Sequence, residues 1–293
     1  MKYRITSETK VVDNITLHRI ECVTAFGDVE CDAKGGWIES EKNLSQSGNA
    51  WVYESAVVSG YAVVRDNAVV SGYAVVRDNA VVRDNAVVRD NAVVRDNAMV
   101  RDNARVRGNA RVYESAVVSG DAMVRDNAVV RDNATVCENA KVFENAWVSR
   151  NAVVSGNATV CGDAMVFENA MVSNNAVVSG NATVRGDALV FENARVFGYA
   201  TVFGNARVSG NARVSGDADY IVFKNWWSSG RYFTWTRSNN KWRVGCFYGS
   251  GEELIAKAYK DSEKSGREYE RVVKYVESIL QEEDNGNRNK REG

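Results

Sequence analysis

From Ala50 to Asp217 the chain repeats every six residues without a slip, and this period limits its fold more than any other feature. Alanine returns at each sixth position (Ala50, Ala56, Ala62 and on to Ala212), and valine follows two residues later, from Val52 to Val214. The span is 168 residues, which at six per repeat makes 28 hexads of the form Ala-x-Val-x-x-x. Residues two apart in a strand share a face, so Ala and Val point together into a core while the residue between them points out. The last two positions are mostly Asp-Asn, Gly-Asn, Gly-Asp or Glu-Asn, residues that accept left-handed backbone or bond their own turn. Each hexad is thus a very short strand and a corner, which must stack on copies of itself. Burying one valine contributes about 1.5–3 kcal/mol, whereas ordering six residues costs about 1–2 kcal/mol each. Core burial alone loses that contest, so a hydrogen-bond ladder between coils must contribute and both ends need covers.

A small residue two before an aliphatic one, repeated every six, resembles the left-handed parallel β-helix of the hexapeptide acyltransferases. That resemblance implies a triangular coil of three hexads; the period alone allows other cross-sections. Three hexads per coil would give a little over nine coils, roughly 45 Å of solenoid at ~4.8 Å per strand spacing. Upstream, the run from Ala25 to Tyr53 carries Phe26, Asp28, Val29, Gly35, Gly36, Trp37, Asn43, Leu44, Ser45 and Gln46 in one block. This block resembles the N-terminal segment of the YdcK-like β-solenoid family, and with the hexads the resemblance covers roughly residues 1–217. It implies a left-handed β-helix with a β-rich N-terminal cap, and it brings no established reaction and no catalytic residue. The expected fold is therefore mainly β: a left-handed parallel β-helix with that cap and a small α+β C-terminal domain.

Four segments follow. Residues 1–49 form the cap, with strands in KYRITSE and ITLHRIECVTAF about an Asp13-Asn14 turn. Within it, Gly35-Gly36-Trp37 reads as a tight turn delivering an aromatic onto the first coil, with a ligand pocket around Trp37 as the alternative. Residues 50–218 are the solenoid. Residues 219–283 make the C-terminal domain, read as three strands in 220–249 with turns at Ser228-Ser229-Gly230 and Asn239-Asn240. Helices are expected over 251–264 and 267–282. Ser250 and Glu253 form a capping box for the first, and Tyr269, Val272, Val273, Val276, Ile279 and Leu280 make an apolar stripe on the second. Residues 284–293 are a polar tail, expected to be disordered.

Charge excludes some functions. The chain has 37 basic and 38 acidic residues, and the solenoid 17 and 18, so it is neither a basic nucleic-acid track nor an acidic mimic. Residues 74–104 are nearly identical copies of Ala-Val-Val-Arg-Asp-Asn, the mark of tandem duplication. On a three-hexad coil Arg65, Arg83 and Arg101 stack in one column, as do Arg77 and Arg95. The Asp after each Arg offers a partner worth about 0–1 kcal/mol. That Asp cancels the field a phosphate-binding ladder would need. In later coils Phe143, Phe167, Phe191, Phe197 and Phe203 replace Arg. Five cysteines without a CxxC read as reduced thiols in a cytoplasmic setting, and Cys137 and Cys161 fall on different faces. No signal-like start and no run of 18 apolar residues is present, so no membrane contact is expected. The absence of proline suits a ladder that wants every N–H.

No catalytic, cofactor-binding or metal-ligating constellation is visible. Hexapeptide acyltransferases use a coil histidine as general base, and the one histidine here, His18, lies in the cap. The chain is accordingly expected not to be an enzyme, with a divergent acyltransferase the weakest reading. The leading expectation is a non-enzymatic scaffold presenting repeat faces to a protein partner or to itself as a homo-oligomer. Its candidate interface is one outward column, read every 18 residues: Val63, Val81, Met99, Val117, Thr135, Val153, Met171 and Leu189, then Arg207. The other two columns are interrupted by charges, Arg111 in one and Arg105, Lys141, Arg195 and Arg213 in the other. The alternative is a nucleic-acid-binding module on an aromatic–basic surface of Trp226, Trp227, Arg231, Tyr232, Trp235, Arg237, Lys241, Trp242 and Arg243. No cofactor or small-molecule substrate is evident.

Overall fold

A computed structural model describes residues 1–289. The hexads form two-residue strands on three parallel sheets, the faces of a triangular solenoid. The first face runs from Trp51–Val52 to Arg213–Val214, the second from Val57–Val58 to Thr201–Val202, and the third from Val63–Val64 to Arg207–Val208. Each strand pairs in register with those 18 residues before and after it, as in Val63↔Val81 and Val81↔Met99. Three hexads per coil is therefore the observed geometry. Every repeat Ala and Val is fully buried.

The fifth hexad position is left-handed at every corner but the last, where Gly216 is extended, and it is so whether it holds Gly60 (φ +67°), Asp66 (+64°), Glu114 (+60°) or Arg150 (+58°). Side chains normally resist that conformation by about 1–2 kcal/mol. An acidic residue there recovers energy, because its carboxylate accepts the N–H of the matching corner one coil on. Asp84 accepts from Asp102 N at 3.3 Å, Glu114 from Asp132 N at 2.8 Å and Glu192 from Gly210 N at 2.6 Å. The asparagines beside them form a second ladder, Asn67 Nδ2 donating to Asn85 Oδ1 and Asn85 to Asn103, both at 3.1 Å.

Backbone N–H groups of one coil donate to carbonyls of the next, for instance Val81 N to Ala98 O at 2.9 Å. The first coil is thus left with free carbonyls and the last with free N–H groups. At the start, β1 (Tyr3–Val12) and β2 (Ile15–Cys22) form a hairpin turned at Asp13 and Asn14, both with positive φ. β3 (Lys34–Ile38) pairs antiparallel with β2 and parallel with the first strand of the second face, Trp37↔Val57. Gly35 and Gly36 are therefore strand residues, not the expected tight turn. The reason is proximity: a Cβ on Gly36 would lie 2.6 Å from Val52 Cγ1 and 2.8 Å from the Ala56 carbonyl oxygen. Lys2 Nζ donates to Ala50 O at 2.8 Å, Trp37 N to Ala56 O at 2.9 Å, and Asn43 Nδ2 to both Gly60 O and Ala62 O at 2.9 Å. One free carbonyl edge on each face is thereby covered. Gln46 clamps Tyr3, its Nε2 donating to Tyr3 O at 3.0 Å while its Oε1 accepts from Lys2 N at 2.9 Å.

At the other end the strands are Tyr220–Lys224, Tyr232–Thr236, Lys241–Val244 and Phe247–Gly249, one antiparallel sheet of four rather than the expected three. Gly245, at φ +57°, folds the last apolar run back on itself, which the unbroken stretch Val244 to Phe247 concealed. Helices α1 (Gly251–Asp261) and α2 (Glu263–Asn289) follow, separated by Ser262 alone. The Ser250–Glu253 capping box is present. The helix continues through Asn289, so the expected disordered tail does not begin at 284; residues 290–293 of it lie outside the described residues.

The last residues of the solenoid and this domain together supply one acceptor to the final strand of each face. Asp217 Oδ1 takes Thr201 N at 2.8 Å, Thr234 Oγ1 takes Arg207 N at 2.8 Å, and Ser238 Oγ takes Arg213 N at 2.7 Å. Contact is close enough at Gly210 (φ +66°) that a Cβ would sit 1.9 Å from Tyr248 Oη.

Candidate functional site

The third face carries the expected column unbroken. Pairing runs Val63, Val81, Met99, Val117, Thr135, Val153, Met171, Leu189 and Arg207, each in register with the next. All are partly exposed, Met171 most among the apolar members at 40%. Eight successive coils thus present uncharged side chains in one straight line to solvent. A cleft of about 400 Å³ opens where the line meets the C-terminal domain, with Leu189 and Arg207 on one wall and Arg231, Tyr232 and Gly245 on the other. Arg207 ending the apolar run was a sequence signal for this place. No pattern in the sequence sets residues 231 and 245 beside it.

The expected aromatic–basic surface is divided by the fold. Phe233, Trp235 and Trp242 are buried in the domain core with Val244, Leu254, Val273 and Val276. Trp227 packs on Phe233 and Tyr269, with ring centroids 6.0 Å from each. Trp235 and Trp242 therefore have no face for a base, a correction to the stacking platform. The physical reason is size, since a domain this small needs its largest side chains inside. Arg243 is spent on the junction: it meets Glu192 Oε1 at 2.6 Å and Ser209 Oγ at 2.9 Å, between the rings of Phe191 and Tyr248. Arg237 bonds Glu283 at 2.8 Å and the Ala218 carbonyl at 3.3 Å. Trp226 (82% exposed), Arg231, Tyr232 and Lys241 remain at or near the surface.

Elsewhere, most potential chemistry is occupied structurally. The Arg–Asp neighbours pair as expected, Arg95 to Asp96 at 2.7 Å and Arg101 to Asp102 at 3.0 Å. The later phenylalanines carry guanidinium groups over their rings, such as Arg125 over Phe143 at 4.2 Å. Trp37 lies between Lys10 and Arg19, 4.5 and 5.1 Å from its ring, and is 8% exposed, which fills the space of the alternative ligand pocket. All five cysteines are free, and burial raises the thiol pKa of Cys137 and Cys161 above the ordinary value. Glu114 is also raised, by its hydrogen bond with Asp132 on the next coil. His18 sits in β2 opposite Thr9 and Ile38, away from the coils. Among the described residues no group of three or more His, Cys, Asp and Glu is placed to hold a metal ion, and no helix is long and apolar enough to cross a membrane.

These features define a parallel β-solenoid of about ten turns with a small sheet-and-helix domain on its last coil. The repeat family described as the YdcK β-solenoid repeat matches at residues 104–120 and 206–218. A relative from Escherichia coli (strain K12), described as "Uncharacterized acetyltransferase YdcK", is 32% identical over 66 residues. The match spans 20% of this chain and 20% of that protein. The chain is thus similar to the YdcK β-solenoid repeat family over short segments, and its match spans about a fifth of the relative's length. Among solved structures, the UDP-N-acetylglucosamine acyltransferase of Francisella novicida is similar at 16% identity and a TM-score of 0.27, over 56% of this chain and 62% of that one. So slight a likeness says nothing of fold or activity here.

The expectation that the chain is not an enzyme is overturned by the relative, which is described as an acetyltransferase. The lack of a coil histidine was too narrow a ground. Carboxylates, tyrosines, lysines and cysteines also move protons in catalysis.

Proposed function

We propose that this solenoid works by assembly along its third face, where it binds a second copy of itself. The observation that carries the reading is the uncharged line from Val63 to Leu189, held straight by in-register pairing. At roughly 50 Å² per side chain its area is about 400 Å², at the upper end of what monomers leave uncovered. A stable interface takes about 800 Å² per partner. The Arg–Asp corners flanking the stripe would supply the remainder, their alternating charges suiting an antiparallel copy. The triple change Val81→Glu, Val117→Glu and Val153→Glu is expected to convert a dimer to a monomer by light scattering, with unchanged circular dichroism. A wild-type chain that is monomeric at every concentration tested defeats the proposal.

Acyl transfer is the second reading, favoured by the relative's description as an acetyltransferase. Thiol release from an acetyl thioester, dependent on an amine or hydroxyl acceptor and lost on unfolding, supports it. Absence of release across a broad acceptor panel counts against it.

A further inference from the structure

The arginines of the repeated copies have their anions beside them in sequence. Arg65, Arg77, Arg83, Arg95 and Arg101 each meet the following Asp at 2.7–3.6 Å. At residues 104–109 the motif Ala-Val-Val-Arg-Asp-Asn becomes Ala-Arg-Val-Arg-Gly-Asn. The change does two things together: Arg105 adds a cation on the first face, and Gly108 removes the anion that Arg107 would have held. Among the described residues neither Arg105 nor Arg107 has an ion pair; Arg107 Nη2 reaches only the Met123 sulfur, at 3.7 Å. One coil earlier Arg89 occupies the position below Arg107, and its own Asp90 is 3.9 Å away. Arg105 stands in register with Val87, one coil before it. Arg89, Arg105, Arg107 and Val87 line a single cavity of about 220 Å³.

Three guanidinium groups crowd one small space, and the carboxylate beside them, Asp90, is engaged with the Gly108 N–H at 3.0 Å and stands 3.9 Å from Arg89. Repulsion among the guanidinium groups is relieved by an anion between them. We propose that this cavity binds a compact phosphoryl oxyanion, the mono- or diphosphate group of a small molecule. Guanidinium forks match phosphoryl oxygens in pairs, and three positive charges suit the charge of a diphosphate. The neutrality that disfavours a phosphate ladder along the rest of the solenoid is locally absent here. The site lies on the first face and is independent of the apolar line on the third.

The test is calorimetric titration of the full chain with inorganic pyrophosphate and, separately, inorganic phosphate at low ionic strength. Saturable binding is expected, weakening about tenfold or more with Arg105→Val or with Arg107→Gln. Arg77→Gln, in a paired column, is expected to leave it unchanged. Arg105→Val restores the residue of the neighbouring copies, so loss of fold is not at issue, and circular dichroism checks it. The proposal is overturned by no saturation with either probe or by an equal loss in Arg77→Gln. It also fails if a mixed-sequence oligonucleotide binds where pyrophosphate does not.

Discussion

The two ends of the solenoid are closed by opposite chemistry. The first coil offers carbonyls, and its cover brings donors: the Lys2 ammonium, the Asn43 amide and the backbone of β3. The last coil offers N–H groups, and acceptors reach them from Asp217 at the solenoid's own end and from Thr234 and Ser238 of the cover. Both ends also hide an apolar cross-section, but with different means. The N-terminal cover extends the second face as a further strand, whereas the C-terminal one lays a separate sheet across the end. The lesson is that a parallel ladder is polar along its axis, so the covers are not interchangeable. An uncovered first coil and an uncovered last coil are, for the same reason, complementary to each other.

The largest effect should come from removing both covers. A fragment of residues 50–217 is expected to stack head to tail into filaments with a ~4.8 Å axial repeat, seen by electron microscopy and fibre diffraction. A fragment of residues 1–217 exposes only the N–H end, where two copies would set donors against donors, and is expected to form amorphous aggregates without that repeat. Soluble, monodisperse behaviour of both fragments would break the comparison.

Single residues should sharpen it. Asn43→Ala leaves two carbonyls without a donor at a fully buried site and is expected to cost about 2–4 kcal/mol in chemical denaturation. Thr234→Val strands one N–H and is expected to cost about 1–2 kcal/mol. A reversed order would mean that the C-terminal cover is the more demanding.

The smallest effect concerns pH. Burial holds the Lys2 ammonium down to about 8, below its ordinary value of 10.5. The folded chain therefore sheds this proton before the unfolded chain does. The cost of burying the charge is present below pH 8 and shrinks as pH rises from 8 towards 10.5. Stability of the wild type relative to Lys2→Met is expected to climb across that window, by thermal unfolding at each pH. A flat difference would remove Lys2 from the account of the first coil.

Much of this was legible in the residues. Alanine and valine two apart every sixth position required a buried pair, and the Asp-Asn corners required left-handed turns; both are local demands with one geometric answer. The apolar line on the third face followed from counting by 18, the coil length that the resemblance to hexapeptide β-helices implied. The C-terminal aromatics were not legible in this way, because Trp235 and Trp242 differ from Trp226 only in which side of the sheet covers them. Gly35-Gly36 misled for a related reason. Glycine marks a turn by its conformational freedom, but here its missing side chain admits a neighbouring strand.

By itself, then, the sequence determined the solenoid and the chemistry of its corners, because a period of six constrains each residue through its near neighbours alone. Only the tertiary structure decided which donor meets which open carbonyl, which tryptophans are covered, and that Arg89 joins Arg105 and Arg107 around one cavity. The donors on the open carbonyls, for example, stand between 17 and 48 positions from their acceptors. Those relations depend on how coils and covers pack, which no local pattern encodes.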